Sequence, residues 1–300
     1  MASDHAPGLI PVPDRRQPVE AVVNVASVSQ RSPFRYPGGK TWLVPRIRQW
    51  MAAQSPLPQL LVEPFVGGGI VSLTAVFEGY VDQAVLVELD PDVHAVWAVA
   101  TSPEHKALSE RILEFTVTRE AVLAELASEP RTVLDRAFKT ILKNRMFHGG
   151  ILAPGASLIK SGEQGRGLLS RWYPQTLARR LQAIGEIRDR LTVVCGDGMT
   201  VIEQYAQARN TLFFIDPPYT AAGKRAGRRL YRYHDLDHER LFAVTAQVQG
   251  DFLMTYDYAV GVCALAQAQG FDMACVPMKN THHAQVTELL IGRSLAWLDP

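Results

Sequence analysis

Seven short apolar runs punctuate the chain: Gln59–Glu63, Ala84–Glu88, Leu191–Cys195, Thr211–Ile215, Phe252–Tyr256, Met273–Met278 and Val286–Ile291. Several are continuously apolar, as expected of strands buried on both faces. Between many of them apolar positions recur at helical spacing. Leu43, Ile47, Trp50 and Met51 share one face, as do Leu177, Leu181, Ile184 and Leu191, and Leu241, Val244, Thr245 and Val248. Strands alternating with helices predict an α/β fold built on a doubly wound parallel sheet. The last two runs are separated only by Lys279–Gln285, too short for a helical crossover, so they predict an antiparallel C-terminal hairpin.

One interval breaks the alternation. Between Asp90 and Leu191 there are helical patterns, such as Leu134, Ala137, Phe138, Ile141 and Leu142, but no clear strand. Asn144–Gly167, rich in Gly and basic residues, predicts an exposed loop. The first 31 residues carry four prolines and no period, which predicts a flexible tail. The predicted division is therefore a tail over 1–31, a sheet domain over 32–100 and 191–300, and an inserted, mostly helical subdomain over 101–190.

Composition adds limits. The chain has 300 residues, 47% hydrophobic and 20% charged, ordinary for a globular protein. No apolar run approaches the ~20 residues a spanning helix needs, and the start lacks a signal peptide's pattern. A membrane partner is not expected. The three cysteines, Cys195, Cys263 and Cys275, lack CxxC spacing. They predict buried thiols in a reducing cytoplasm rather than disulfides or a metal site. Net charge is +1, yet 16 of the 31 basic residues lie in 139–190 and 220–240. Local basic excess in a neutral chain is the footprint of a nucleic-acid site, or else of solvated helix faces.

The stretch Phe34-Arg35-Tyr36-Pro37-Gly38-Gly39-Lys40-Thr41 ends like a phosphate-binding loop. That loop requires a glycine where this chain has Phe34, and Pro37 has no N–H to offer a phosphate. What survives is a close backbone approach, a cation at Lys40 and an aromatic face at Tyr36. In Leu61–Gly69, a strand ends in Glu63, Pro64 and Phe65, followed by three glycines and a helix start. Ligands in open α/β sheets sit beyond the carboxyl ends of strands. The second strand ends in Glu88, placed to accept from ribose hydroxyls. The third is followed by Asp197, placed to accept from an adenine amino group. Each acid could instead cap the next helix.

The fourth strand delivers Asp216-Pro217-Pro218-Tyr219 to the same edge. The two prolines remove donors and leave carbonyls free, so the tetrapeptide offers acceptors, with the Tyr219 ring for stacking. Two acceptors can hold both hydrogens of an exocyclic amine over a flat base. They also stabilise the positive charge that develops as nitrogen attacks an electrophilic methyl. Neither a metal nor a covalent intermediate is needed.

In this order, FRYPGGK, EPFVGGG, VELD and DPPY resemble the Dam-like S-adenosylmethionine-dependent DNA adenine-N6 methyltransferases. The resemblance runs from about Pro33 to the C-terminus. It implies a Rossmann-like seven-stranded methyltransferase sheet with an inserted DNA-recognition subdomain, and S-adenosylmethionine as cofactor. Tyr36, Lys40, Phe65, Gly67, Glu88, Asp197 and Asp216 would bind it. Asp216, Pro217, Pro218 and Tyr219 would hold the target adenine. Glu88 stands where many relatives have Asp. The expected partner is double-stranded DNA, with the adenine flipped out of the stack. Lys224, Arg225, Arg228 and Arg229 would meet phosphates, and Asn144 and Arg145 are residue types that read base edges. One active site suffices for one base, so the expected state is a monomer. An adenine of ribosomal RNA is the alternative substrate, and a non-catalytic DNA-binding protein of methylase-like fold the alternative class.

Overall fold

The computed structural model describes residues 28–162, 165–218, 235–279 and 285–298. All seven predicted strands are present: β1 Leu60–Glu63, β2 Gln83–Glu88, β3 Leu191–Cys195, β4 Thr211–Ile215, β5 Asp251–Asp257, β6 Asp272–Lys279 and β7 Gln285–Gly292. They form one sheet in the order β3-β2-β1-β4-β5-β7-β6. β1 to β5 pair in parallel, while β7 is antiparallel to both β5 and β6. This is the sheet with a C-terminal antiparallel hairpin that the apolar pattern predicts, and the seven-stranded Rossmann-like sheet that the resemblance implies.

The side-chain alternation of the strands splits the core in two. Leu61, Leu86, Leu212, Phe214, Leu253 and Leu290 face one side. There they meet α1 (Val44–Ala52), α2 (Ile70–Phe77), α3 (Pro91–Ala100) and the helices that follow α3. Val62, Val85, Phe213, Ile215, Met254 and Ile291 face the other. They are covered by α8 (Gly198–Tyr205), α9 (His238–Ala246) and α10 (Val260–Ala268). Leu43, Ile47, Trp50 and Met51 are fully buried, as their spacing predicts. Leu177, Leu181 and Ile184 are buried on α7 (Pro174–Glu186), but Leu191 belongs to β3.

The interval between β2 and β3 carries α4 (His105–Glu114), α5 (Arg119–Ala127), α6 (Val133–Met146) and α7. α6 starts in a capping box: the Thr132 hydroxyl accepts from the Asp135 N–H and the Asp135 carboxylate accepts from the Thr132 N–H. α6 packs along α3 and α7 along α4, and Phe138 and Leu142 share a core with Trp97. The predicted exposed loop at 144–167 is only partly exposed. His148 N–H donates to the Ser157 carbonyl and Ile159 N–H to that of Met146, and Ala153 and Ile159 are buried.

Two further expectations need correction. Val28 is buried and Arg31 pairs with Glu78 while lying over the Phe77 ring. The predicted tail therefore gives way to packed chain before Arg31. The thiols are not buried as a set, since Cys195 and Cys275 are exposed. No described helix is long and apolar enough to cross a membrane.

Candidate active site

Parallel strands bring Glu63, Glu88 and Asp216 to one edge, because each lies at or just past the carboxyl end of its strand. Between β1 and β4 the chain order reverses direction across the sheet, the place where such folds open a ligand crevice. A cleft of about 1200 Å³, its open mouth included, lies there. It is lined by the Tyr36–Lys40 segment, the Glu63–Val71 turn, Glu88, Asp197, Asp216 and Pro218.

Lys40 is buried in this arrangement, 5% exposed. Its ammonium is 2.8 Å from Asp216 and 3.3 Å from Glu288, and it donates to the Gly38 carbonyl at 2.9 Å. Burial opposes its charge, but the two carboxylates outweigh burial and hold its pKa above the ordinary lysine value. The Gly-Gly-Lys turn thus presents its cation to acids of the protein. Asp216 also accepts from the Thr255 hydroxyl at 2.7 Å. Strands β4, β5 and β7 thereby all contribute to the geometry around one ammonium. Glu288 had no role assigned from sequence. The Val286–Ile291 run predicts the strand, but strand order puts its acid opposite Lys40.

Two further carboxyls, Glu63 buried and Glu88 half-buried, flank this pair. Glu63 accepts from the Ser72 N–H and hydroxyl on α2, and burial pushes its pKa up to about 8. Glu88 accepts from the Asp90 N–H at 2.9 Å. Burial pushes it up to about 7, against backbone hydrogen bonds that favour its charged form. Asp197 caps α8: its carboxylate accepts from the N–H groups of Met199 and Thr200 and from the Thr200 hydroxyl. Its first task is therefore a helix start, at the rim of the cleft.

The glycines after Glu63 have a local cause. Gly67 has φ +43°, and a Cβ there would come within 2.5 Å of the Tyr36 ring. Trp97 donates its indole N–H to the Gly67 carbonyl at 3.0 Å. So Tyr36 lies against the glycine turn, and the segment preceding α1 forms one wall of the cleft. Phe65 is half-buried on that wall.

Asn144 and Arg145 correct a prediction. Both are buried, at 0% and 4% exposure. The Asn144 side chain accepts from the Arg35 N–H and donates to the carbonyls of Arg35 and Gly150. Arg145 donates to the Pro33 carbonyl. Asn144 and one guanidinium N–H of Arg145 hold the 33–35 segment, and both side chains are turned into the protein rather than towards a base edge. Tyr219, Lys224, Arg225, Arg228 and Arg229 lie outside the described residues. Pro217 is buried and Pro218 half-buried at the cleft. Among the described residues no group of three His, Cys, Asp or Glu side chains is arranged to hold a metal.

The cleft's titratable side chains are chiefly acids. Glu63, Glu88, Asp90, Asp197, Asp216 and Asp235 line it, against Lys40 as a base among the described residues. A ligand carrying positive charge and hydroxyl donors fits that set; a polyphosphate does not.

Residues 36–98 match the family model described as D12 class N6 adenine-specific DNA methyltransferase. That segment contains Tyr36–Lys40, the glycine turn and Glu88. The chain is 28% identical over 225 residues to the DNA N-6-adenine-methyltransferase of Escherichia phage P1. The aligned stretch is 73% of this chain and 28% of that protein, so the chain spans little more than a quarter of this relative's length. A crystal structure from Pyrococcus horikoshii, described as a candidate RNA methyltransferase, shares 10% identity with a TM-score of 0.42 over 89% of this chain and 94% of that one.

Proposed function

We propose that this chain transfers a methyl group from S-adenosylmethionine to N6 of an adenine flipped out of duplex DNA. The observation that carries the reading is the Asp216 carboxylate at the end of β4, held by Lys40 and Thr255 beside Pro217 and Pro218 at the mouth of an acid-lined cleft.

The donor set of the cleft fits that cofactor. Glu88 would accept from ribose hydroxyls, Tyr36 and Phe65 would enclose it, and the surrounding carboxyls would complement its sulfonium and amino group. Bound there, S-adenosylmethionine supplies an electrophilic methyl. The chain's own residues do the rest. Asp216 and the Pro217 carbonyl accept the two hydrogens of the adenine amine. They draw its lone pair out of the ring and stabilise the charge that grows on nitrogen. Lys40 and Thr255 fix the carboxylate before substrate arrives, so little reorganisation is left for the reaction. Tyr219 stacks on the flipped base. On this reading the protein works in the cytoplasm as a monomer. Methylation-sensitive long-read sequencing of DNA from cells expressing the chain tests it. N6-methyladenine at a recurring site is expected, and unmodified DNA would overturn the proposal.

A further inference from the structure

Strand β7 runs antiparallel to β5, so its first residues, not its last, lie at the carboxyl edge of the sheet. Glu288, near the start of β7, pairs in register with Asp257, the last residue of β5. Thr255 pairs with Leu290, two residues on, so Glu288 and Thr255 share one face of the sheet. On that face the Lys40 ammonium meets Glu288 at 3.3 Å and Asp216 at 2.8 Å. The Thr255 hydroxyl donates to Asp216 at 2.7 Å, and it reaches the same oxygen, Oδ1, that Lys40 does.

Glu288 is 3% exposed, in a strand that continues with the buried Leu289, Leu290 and Ile291. A carboxylate is costly to bury, and Lys40 has Asp216 as a partner without it. An apolar residue at this position would extend the core as Leu290 does. What Glu288 adds is a second hold on the ammonium. Lys40 comes from the turn before α1 on a flexible four-carbon stem. Gripped by Asp216 alone, it would follow that carboxylate; gripped from β7 as well, it is tied to the frame of the sheet. The second acid also divides the ammonium's charge, so Asp216 keeps more of its own. Burial opposes the charge on Lys40, and Asp216 and then Glu288 raise its pKa above the ordinary lysine value, so the ammonium responds to both acids.

We infer that Glu288 is a positioning residue for methyl transfer: through Lys40 it fixes the Asp216 carboxylate and preserves its negative charge where positive charge grows on the adenine amine. This rests on the reading of the chain as an adenine-N6 methyltransferase and deepens it. The amine is uncharged when bound and gains charge only as it attacks, so the effect falls on the transition state. It belongs to the rate of the chemical step rather than to the affinity for DNA or cofactor.

The test is single-turnover methyl transfer, with the full chain in excess over unmethylated bacterial genomic DNA and labelled S-adenosylmethionine saturating. Glu288→Gln removes the charge at nearly constant shape. It should lower the single-turnover rate about tenfold, the order expected of a unit charge acting across several ångströms of protein interior. Apparent affinity for DNA, read from the dependence on protein concentration, and cofactor affinity, read by calorimetry, should each change by less than about twofold. Glu288→Asp keeps the charge but fits the packing less well, and its rate should fall between those of the wild type and Glu288→Gln. A purely structural residue would give the opposite order, since Gln is the closer fit to the site. A wild-type rate in Glu288→Gln, a rate no higher in Glu288→Asp than in Glu288→Gln, a loss confined to affinity, or failure of Glu288→Gln to fold would each overturn the inference and leave the enzyme reading standing. A wild-type chain that methylates no DNA would overturn both.

Discussion

The Lys40 ammonium sits 2.8 Å from the Asp216 carboxylate. The Gly-Gly-Lys turn before the first strand and the Asp-Pro-Pro motif after the fourth are thus two halves of one ion pair. Lys40 is buried and Asp216 half-buried, and the pair has a buried third member, Glu288. Removing one member of such a set exposes the others to an uncompensated burial cost.

Lys40→Met should therefore act on two levels. It leaves Asp216 and Glu288 without their cation and is expected to destabilise the fold by about 3–5 kcal/mol. It should also weaken cofactor binding and leave ATP hydrolysis at background. Adding Glu288→Gln should recover part of the stability. Urea denaturation of the single and double variants measures the coupling. Additive losses would show that the three groups do not act together.

Gly67→Ala places a methyl within 2.5 Å of the Tyr36 ring at φ +43°. The ring must move, and the wall of the cleft with it. Cofactor affinity is expected to fall about tenfold or more, at a stability cost of ~1–3 kcal/mol. Tyr36→Ala in the same chain should relieve the stability loss without restoring affinity. Calorimetric titration and thermal melting separate the two effects.

The pH dependence follows from the two raised carboxyls. Glu63 and Glu88 titrate near 8 and 7 in the folded chain, against ~4.3 when unfolded. Between those values the folded state holds more protons than the unfolded one. Their contribution to stability is present at low pH and is lost as pH rises from about 4.5 towards 8. Glu63→Gln should flatten that slope in denaturation series at several pH values. Glu88 accepts best from ribose hydroxyls when ionised, so cofactor affinity should rise with pH through about 7. A flat affinity profile would contradict the assignment of Glu88.

Asn144→Ala separates structure from base reading. It removes the side chain that accepts from the Arg35 N–H and donates to the Arg35 and Gly150 carbonyls. The expected loss is ~1–3 kcal/mol for buried groups left unpaired, with the methylated sequence unchanged. A relaxed sequence preference in a fully stable variant would return Asn144 to the DNA.

The strands were legible because buried parallel strands are continuously apolar, and each found its place within a residue or two. Strand β3, Leu191–Cys195, matches its predicted bounds. The acids at the carboxyl edge were legible for the same reason, since a strand's last residue fixes where the next side chain points. The Glu288 partnership and the inward turn of Asn144 and Arg145 were not. Sequence shows the residue types that could touch DNA, but burial is decided by which helix packs against which. Here α6 carries both residues into contact with residues 33–36, far away in sequence. Asp197 was readable both ways, and its cap bonds to Met199 and Thr200 favour the helix start.

The central claim is that the edge holding Asp216 delivers a methyl to adenine N6. Its most direct measurement incubates the full chain with unmethylated duplex DNA and labelled S-adenosylmethionine, digests the DNA to nucleosides and identifies the labelled one by mass spectrometry. Label in N6-methyladenine, reduced at least about a hundredfold by Asp216→Asn in a chain that still folds, is the predicted result. Label in a cytosine, label equal in the Asp216→Asn variant, or DNA unlabelled while ribosomal RNA is labelled would contradict it.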